Sequence, residues 1–296
     1  MGHTMFPLFL PFKRKSTYLE KVASPAVLNH AWRLLRKEKG SWVRGLPVEN
    51  MGHDVVLHIG ELARELLAGT YRPGPMRCFE IPKADGTKRL ISAPAVRDKL
   101  VQRAVLTVLE PLGEDIFHDS SFGFRPKCTR EMALSHIRHW VRRGWVWIGD
   151  ADIKTCFDAI PHKGALAAIR RLCSDRQILR LVKLWIENLP PEFRPVGRDR
   201  GLPQGMVLSP FICNLYLHAL DCEFTSRNIP FARFADDFVT LSQTQEGARD
   251  TLAVAGKVLN RLKLELHPDK TRVIRSAPSH RFLGFRLPNS KERFKV

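Results

Sequence analysis

Three carboxylates in two short stretches carry the chemistry that is easiest to read. Residues 231–241, "FARFADDFVTL", set Asp236 and Asp237 between two apolar runs, and residues 145–153, "WVWIGDADI", bring Asp152 to the end of an alternating run. Aspartate is a poor strand former and a good turn former, so "ADD" reads as the turn of a hairpin. Alternation places Val146, Ile148, Asp150 and Asp152 on one face of a strand and Trp145, Trp147 and Ala151 on the other. Neighbouring carboxylates repel unless they are protonated or balanced by a cation. Their hard oxygens suit Mg²⁺, and two such ions about 3.5–4 Å apart can activate an attacking oxygen and stabilise a leaving one. Taken alone, "ADD" fits a solvated turn with capping acids better than it fits a metal site.

The elements around these acids add to the picture. "CFEIPKADGTKRLISAP" has two extended runs flanking Asp85-Gly86, a hairpin signal, with Lys83, Lys88 and Arg89 at a basic tip that could clamp a triphosphate. "GLPQGMVLSPFICNLYLHALD" begins as a loop whose Gly201 and Gly205 permit close approach to a nucleotide; Ser209 then reads as an N-cap and Pro210 as the first helical residue. Arg125, in "SSFGFRP", could hold a nucleic-acid backbone. Helical patterns cover 25–38, 54–68, about 96–110, 164–172 and 176–187, with a further stripe of Leu252, Ala255, Val258, Leu259 and Leu262. "LKLEL", "TRVIRS" and "RFLGFRL" read as short closing strands, and the mixture implies an α+β fold. Asp150 is expected to be structural or to sit behind the carboxylates that would hold a metal, and Asp158 to be a local backbone cap. His118, His162 and His267 are expected to be satisfied or solvent-facing, and the basic run 194–200 divides evenly between nucleic-acid contact and a solvated loop.

Composition narrows the partner. Of 296 residues 44% are hydrophobic, enough for one large domain or two smaller ones. Lysine and arginine total 48 against 30 acids, and a net charge of +18 points to a polyanion, most often nucleic acid. The six scattered cysteines contain no C-x-x-C pair, which argues against a zinc knuckle and for reduced thiols in a cytoplasmic protein. The short, proline-interrupted "MFPLFLPF" does not read as a signal peptide, and no run approaches the ~20 apolar residues of a membrane span, so no membrane partner is expected.

Together these stretches resemble the reverse transcriptases of the group II intron lineage, whose bacterial members include CRISPR-associated enzymes. The resemblance covers about residues 30–296. "IPKADGTKRLISAPAVRDKLVQRAV", "SSFGFRP", "DADIKTCFDAIPH", "GLPQGMVLSPFICNLYLHALD", "FADD", "LELHPDKT" and "FLGF" occur in the family's order. It implies a right-hand polymerase fold of fingers and palm with an RRM-like palm sheet: 1–70 a helical extension, 71–148 fingers, 149–296 palm with fingers helices inserted at about 163–199. It implies that Asp152 and Asp236, with Asp237 as a less critical third acid and the backbone carbonyl of Ile153, hold two Mg²⁺ ions, or Mn²⁺. Lys83 and Arg89 would contact the triphosphate, Phe157 would gate the sugar, Gln204 would pack near the incoming dNTP, and Lys270 would protonate pyrophosphate. Phe282, Leu283 and Gly284 would grip the primer.

A bulky ring at Phe157 would clash with a ribose 2′-hydroxyl and so favours deoxynucleotides. The partners implied are an RNA template and a DNA or RNA primer. The chain stops soon after the primer grip, so the thumb is expected to be absent or truncated, or supplied by a maturase-like or CRISPR integrase partner. Phe234 stands where the family usually has tyrosine. The implied setting is a mobile intron, CRISPR spacer acquisition or phage defence. An RNA-dependent RNA polymerase and a catalytically idle RNA-binding module are the alternatives.

Overall fold

The computed structural model describes residues 17–51, 54–82, 86, 88–190, 193 and 199–291. The chain opens with α1 (Tyr18–Val22), whose Thr17 and Glu20 form a reciprocal capping box. In α2 (Pro25–Leu35) Ser24 is the N-cap and Pro25 occupies the first turn. After a small ribbon, β1 (Ser41–Val43) and β2 (Leu46–Pro47), comes α3 (Val55–Ala68), stopped by Gly69 at φ +69°. Leu28, Ala31 and Leu35 of α2 and Ile59, Leu62 and Leu66 of α3 are buried in one cluster with Leu100, Val101, Ala104 and Val105. The same cluster continues to Leu264, so residues 19–66 share a core with the rest of the described chain.

Strands β3 (Arg77–Pro82) and β4 (Lys88–Ala93) form the expected hairpin, in register from Arg77↔Ala93 to Pro82↔Lys88. Lys83 and Asp85, at its tip, lie outside the described residues, as does most of the basic run 194–200. Helix α4 (Val96–Glu114) is longer than expected and carries Pro111 inside its last turn. A further helix, α5 (Arg130–Arg142), capped by Thr129, adds to the elements read from the sequence.

Strand β5 (Trp147–Asp152) leads through α6 (Cys156–Ala159), α7 (His162–Leu172) and α8 (Arg176–Ile186) to α9 (Ser209–Ser226). Then follow β6 (Phe231–Phe234), β7 (Asp237–Ser242), α10 (Gln245–Arg261) and β8 (Arg272–Arg275). The four strands form one antiparallel sheet in the order β6-β7-β5-β8. By order of appearance this is 2-3-1-4, the split βαβ arrangement. Ala151 and Phe238 join the large cluster with α9 and α10, whereas Ile148, Val239, Leu241 and Ile274 face Ala133, Ile137 and Val141 of α5. A side chain at Gly149 would meet Thr240 Oγ1 at 2.6 Å and Leu252 at 2.8 Å, so the glycine lets α10 lie flat on the sheet.

Two local expectations are corrected. Ser209 does not cap α9: it is the first helical residue, and its hydroxyl donates to the Pro203 carbonyl at 2.7 Å. "LKLEL" forms no strand; Leu264 is buried as the chain leaves α10, and Leu266 makes a single bridge to Ile153. The last expected strand is a tight hairpin, β9 (Arg281–Phe282) and β10 (Phe285–Arg286), turning through Leu283 and Gly284 at φ +53° and +86°.

Candidate active site

The carboxylates converge at one end of the sheet. Asp152 closes β5 and lies directly opposite Asp237, the first residue of β7. Phe234 pairs with Asp237 across a two-residue turn, so Asp236 sits in the turn itself, and Ala235 takes the positive φ (+62°) that such a turn demands of its first residue. All three acids are half-buried. Asp150, two residues back on the face of Asp152, is ion-paired with Arg272 of β8 at 3.0 Å, a structural role as expected.

Electrostatics mark this end as a place for positive charge. Burial, and then the charges of Asp150, Asp152 and Asp236, push the Asp237 carboxyl up to about 7. Burial also raises Asp236, with Asp152 adding to it and Arg89 and Lys270 opposing. Lys270 Nζ lies 2.8 Å from Asp152 Oδ2. The bridge between Ile153 and Leu266 is built from the amides of Lys154 and His267 bonding the carbonyls of Glu265 and Asp152. The carbonyl of Ile153 therefore points to the opposite edge, the side of Asp237. Among the described residues no three His, Cys, Asp or Glu side chains form a closed cage. Mg²⁺ is ordinarily held by one or two carboxylates together with substrate phosphates, so an open set of repelling hard-oxygen donors fits it.

A second group of residues gathers around the 201–205 loop and the β3–β4 hairpin. Arg89, exposed on β4, is near enough for its charge to act on Asp236. Phe157 lies in α6, five positions after Asp152, half-buried and packed against the large core. Its carbonyl accepts from the Leu202 amide at 2.7 Å, and the Gln204 amide donates to Asp158 Oδ1 at 3.2 Å, so Asp158 is more than the backbone cap expected of it. The Ser92 amide bonds the Gln204 carbonyl at 2.7 Å, tying this loop to the hairpin. Gly201 and Gly205 were expected to admit a nucleotide. Their bare sides instead meet protein backbone, Gly201 that of Asp158 and Gly205 (φ +118°) the Ser92 carbonyl, 2.5 Å from where a Cβ would sit. His162 is satisfied by the Gly201 carbonyl at 2.9 Å, and His118 Nδ1 accepts from the Ser120 amide.

Arg125 departs from expectation. Its guanidinium grips Glu114 at 3.0–3.2 Å, donates to the His118 and Ser121 carbonyls and lies over the Phe117 ring. With its side chain only 9% exposed, it braces the 118–125 loop and is not presented to a phosphate backbone. Phe282 is buried beneath the β9–β10 turn, with Leu283 half-buried and Gly284 exposed at its tip. Sequence reasoning passed over Gly123, Asn214, Asp221 and Arg233, which surround the turn from behind. The available signal was polar residues inside apolar runs: Arg in "FARF", Asn and Asp in "FICNLYLHALD".

The chain belongs to the reverse transcriptase (RNA-dependent DNA polymerase) family, whose model matches residues 81–287. Protein YkfC of Escherichia coli is 28% identical over 96% of this chain and 86% of its own length. The group II intron-encoded protein LtrA of Lactococcus lactis is 31% identical over 77% of this chain, which spans 38% of LtrA. Among solved structures, a telomerase from Candida albicans superposes with a TM-score of 0.52 at 15% identity, covering 81% of this chain and 48% of that one, a likeness of fold alone. Among the described residues no helix is long and apolar enough to cross a membrane.

Proposed function

We propose that the protein is an RNA-directed DNA polymerase that extends a primer on an RNA template with dNTPs. The observation that carries this reading is the meeting of Asp152 and Asp237 across β5–β7, with Asp236 in the adjoining turn. In this reading residues 149–296 are the palm, the β3–β4 hairpin belongs to the fingers, and residues 1–70 are an N-terminal extension. Asp152, Asp236 and the Ile153 carbonyl would hold two Mg²⁺ ions, with Asp237 beside them. Those ions, when bound, supply charge that favours the ionised primer hydroxyl and the departing pyrophosphate.

The chain's own groups do the rest. Arg89, with Lys83, holds the triphosphate. The Phe157 ring lies against the sugar and excludes a 2′-hydroxyl. Gln204, anchored to Asp158, fixes the loop that lies beneath the nucleotide. The primer 3′-hydroxyl gives its proton to solvent as its oxygen bonds the α-phosphorus, the bond from that phosphorus to the pyrophosphate oxygen breaks, and Lys270 gives that oxygen a proton. The β9–β10 turn, Phe282 to Gly284, supports the primer strand. The excess of positive charge holds the template–primer backbone. The intron-encoded relative favours a mobile-intron type of setting.

Primer extension on an RNA template, with dNTPs or rNTPs, tests the reading. Extension with dNTPs alone, lost in Asp236→Asn, supports it. Extension with rNTPs alone would make the protein an RNA polymerase. RNA binding without extension in the presence of Mg²⁺ or Mn²⁺ would leave a binding module.

A further inference from the structure

Arg233 of β6 and Asp221 of α9 form an ion pair with both side chains wholly inside the protein. Arg233 Nε and Nη2 donate to the two Asp221 oxygens at 2.7 and 2.5 Å. Its Nη1 donates to Asn214 Oδ1 at 2.8 Å and to the Ala235 carbonyl at 3.0 Å. Asn214 in turn donates to the Gly123 carbonyl at 2.6 Å. A Cβ on Gly123 would lie 2.3 Å from the Ala235 nitrogen. Helix α9 therefore reaches the Ala235–Asp236 turn twice, through the Arg233 guanidinium and through Asn214 and the glycine backed against it.

Stability alone does not account for such a pair. Removing two charges from water costs about as much as their attraction returns, and an apolar pair of similar volume commonly supports a fold equally well or better. No apolar side chain, however, can hold a carbonyl. The carbonyl in question belongs to the residue before Asp236, at the position where a non-glycine residue is kept at positive φ. Asp152 also lies directly opposite Asp237, so like charges crowd the turn and it needs restraint. We infer that Arg233, oriented by Asp221 and Asn214, is a positioning residue that holds the Ala235–Asp236 turn against Asp152 before any ion arrives. This rests on the reading of Asp152 and Asp236 as the ion-holding pair.

The test is the Arg233→Met/Asp221→Leu double variant, which removes the grip without leaving a buried charge unpaired. Three properties are measured on the whole chain: thermal melting, Mn²⁺ binding by electron paramagnetic resonance without nucleotide, and primer-extension kinetics. The variant is expected to melt near or above wild type. Mn²⁺ affinity should fall at least about fivefold, and kcat at least about tenfold, with the dNTP KM within about threefold. A folded variant with wild-type Mn²⁺ affinity and kcat overturns the inference. Should the double variant not fold, Arg233→Lys decides by the same readouts, because a lysine keeps the charge but cannot grip Asp221, Asn214 and Ala235 together. A wild-type chain that binds Mn²⁺ but extends no primer would end the polymerase reading, and the Mn²⁺ arm would still decide this one. A wild-type chain that binds no Mn²⁺ overturns both.

Discussion

Asp152 and Asp237 face each other directly across the β5–β7 pair, two acids in the position where like charges are least welcome. Opposed carboxylates at a strand end destabilise the sheet that bears them. The arrangement makes physical sense where a cation joins them.

Asp236→Asn should abolish primer extension, by at least about a thousandfold, because the amide removes one charge from the ion-holding pair. Template–primer binding is expected to draw on the +18 charge of the whole chain, so its dissociation constant should stay within about twofold. Extension gels beside a filter-binding titration check both halves.

The Asp237 carboxyl, at about 7 in the folded protein, lies above its unfolded value of about 3.9. The folded state therefore binds the extra proton, and the ion-free protein gains stability as pH falls from about 7 towards 4. Melting in EDTA should occur at a higher temperature at pH 5.5 than at pH 8. Asp237→Asn should flatten that difference, and Mg²⁺ should raise the pH 8 value in the wild type. Equal slopes in the wild type and the variant would remove Asp237 as the cause.

If the Phe157 ring excludes a 2′-hydroxyl as proposed, Phe157→Ala should lower discrimination between dNTPs and rNTPs by at least about tenfold in kcat/KM. The ring also packs on the core, so about 1–3 kcal/mol of stability should go with it. Single-nucleotide incorporation with each sugar reads the first effect and urea melts read the second.

Gly205→Ala places a methyl where the Ser92 carbonyl lies and asks alanine to adopt φ +118°. A loss of about 1–3 kcal/mol is expected, more than a surface change would cost. Because the same loop carries Gln204, the dNTP KM should rise as well. A variant as stable as wild type would show that the loop can leave β4 freely.

Lys270→Gln should slow turnover about ten- to a hundredfold while changing stability by less than about 1 kcal/mol, because the Lys270–Asp152 pair is largely exposed and such pairs contribute little. A variant with unchanged turnover would exclude Lys270 as the proton donor.

Much of this was legible along the chain. The order of the motifs, the helical patterns of α2 and α3, and the alternation that puts Asp150 and Asp152 on one face are set by neighbours within a few residues, and local sterics and hydrogen bonding suffice to decide them. What the sequence could not decide was partnership between distant segments. Arg125 reads as a clamp for a nucleic-acid backbone, and only the packing of its loop against α4 delivers Glu114 to it and makes it a brace. Gly205 reads as room for a nucleotide until Ser92 fills the space. Arg233 looks like an ordinary strand residue until α9 closes over the sheet and presents Asp221 and Asn214. Charge and hydrogen-bonding capacity are properties of a residue type and are written in the sequence. Which acceptor meets which donor depends on the register of strands and the packing of helices far apart in the chain, and that the tertiary structure alone decided.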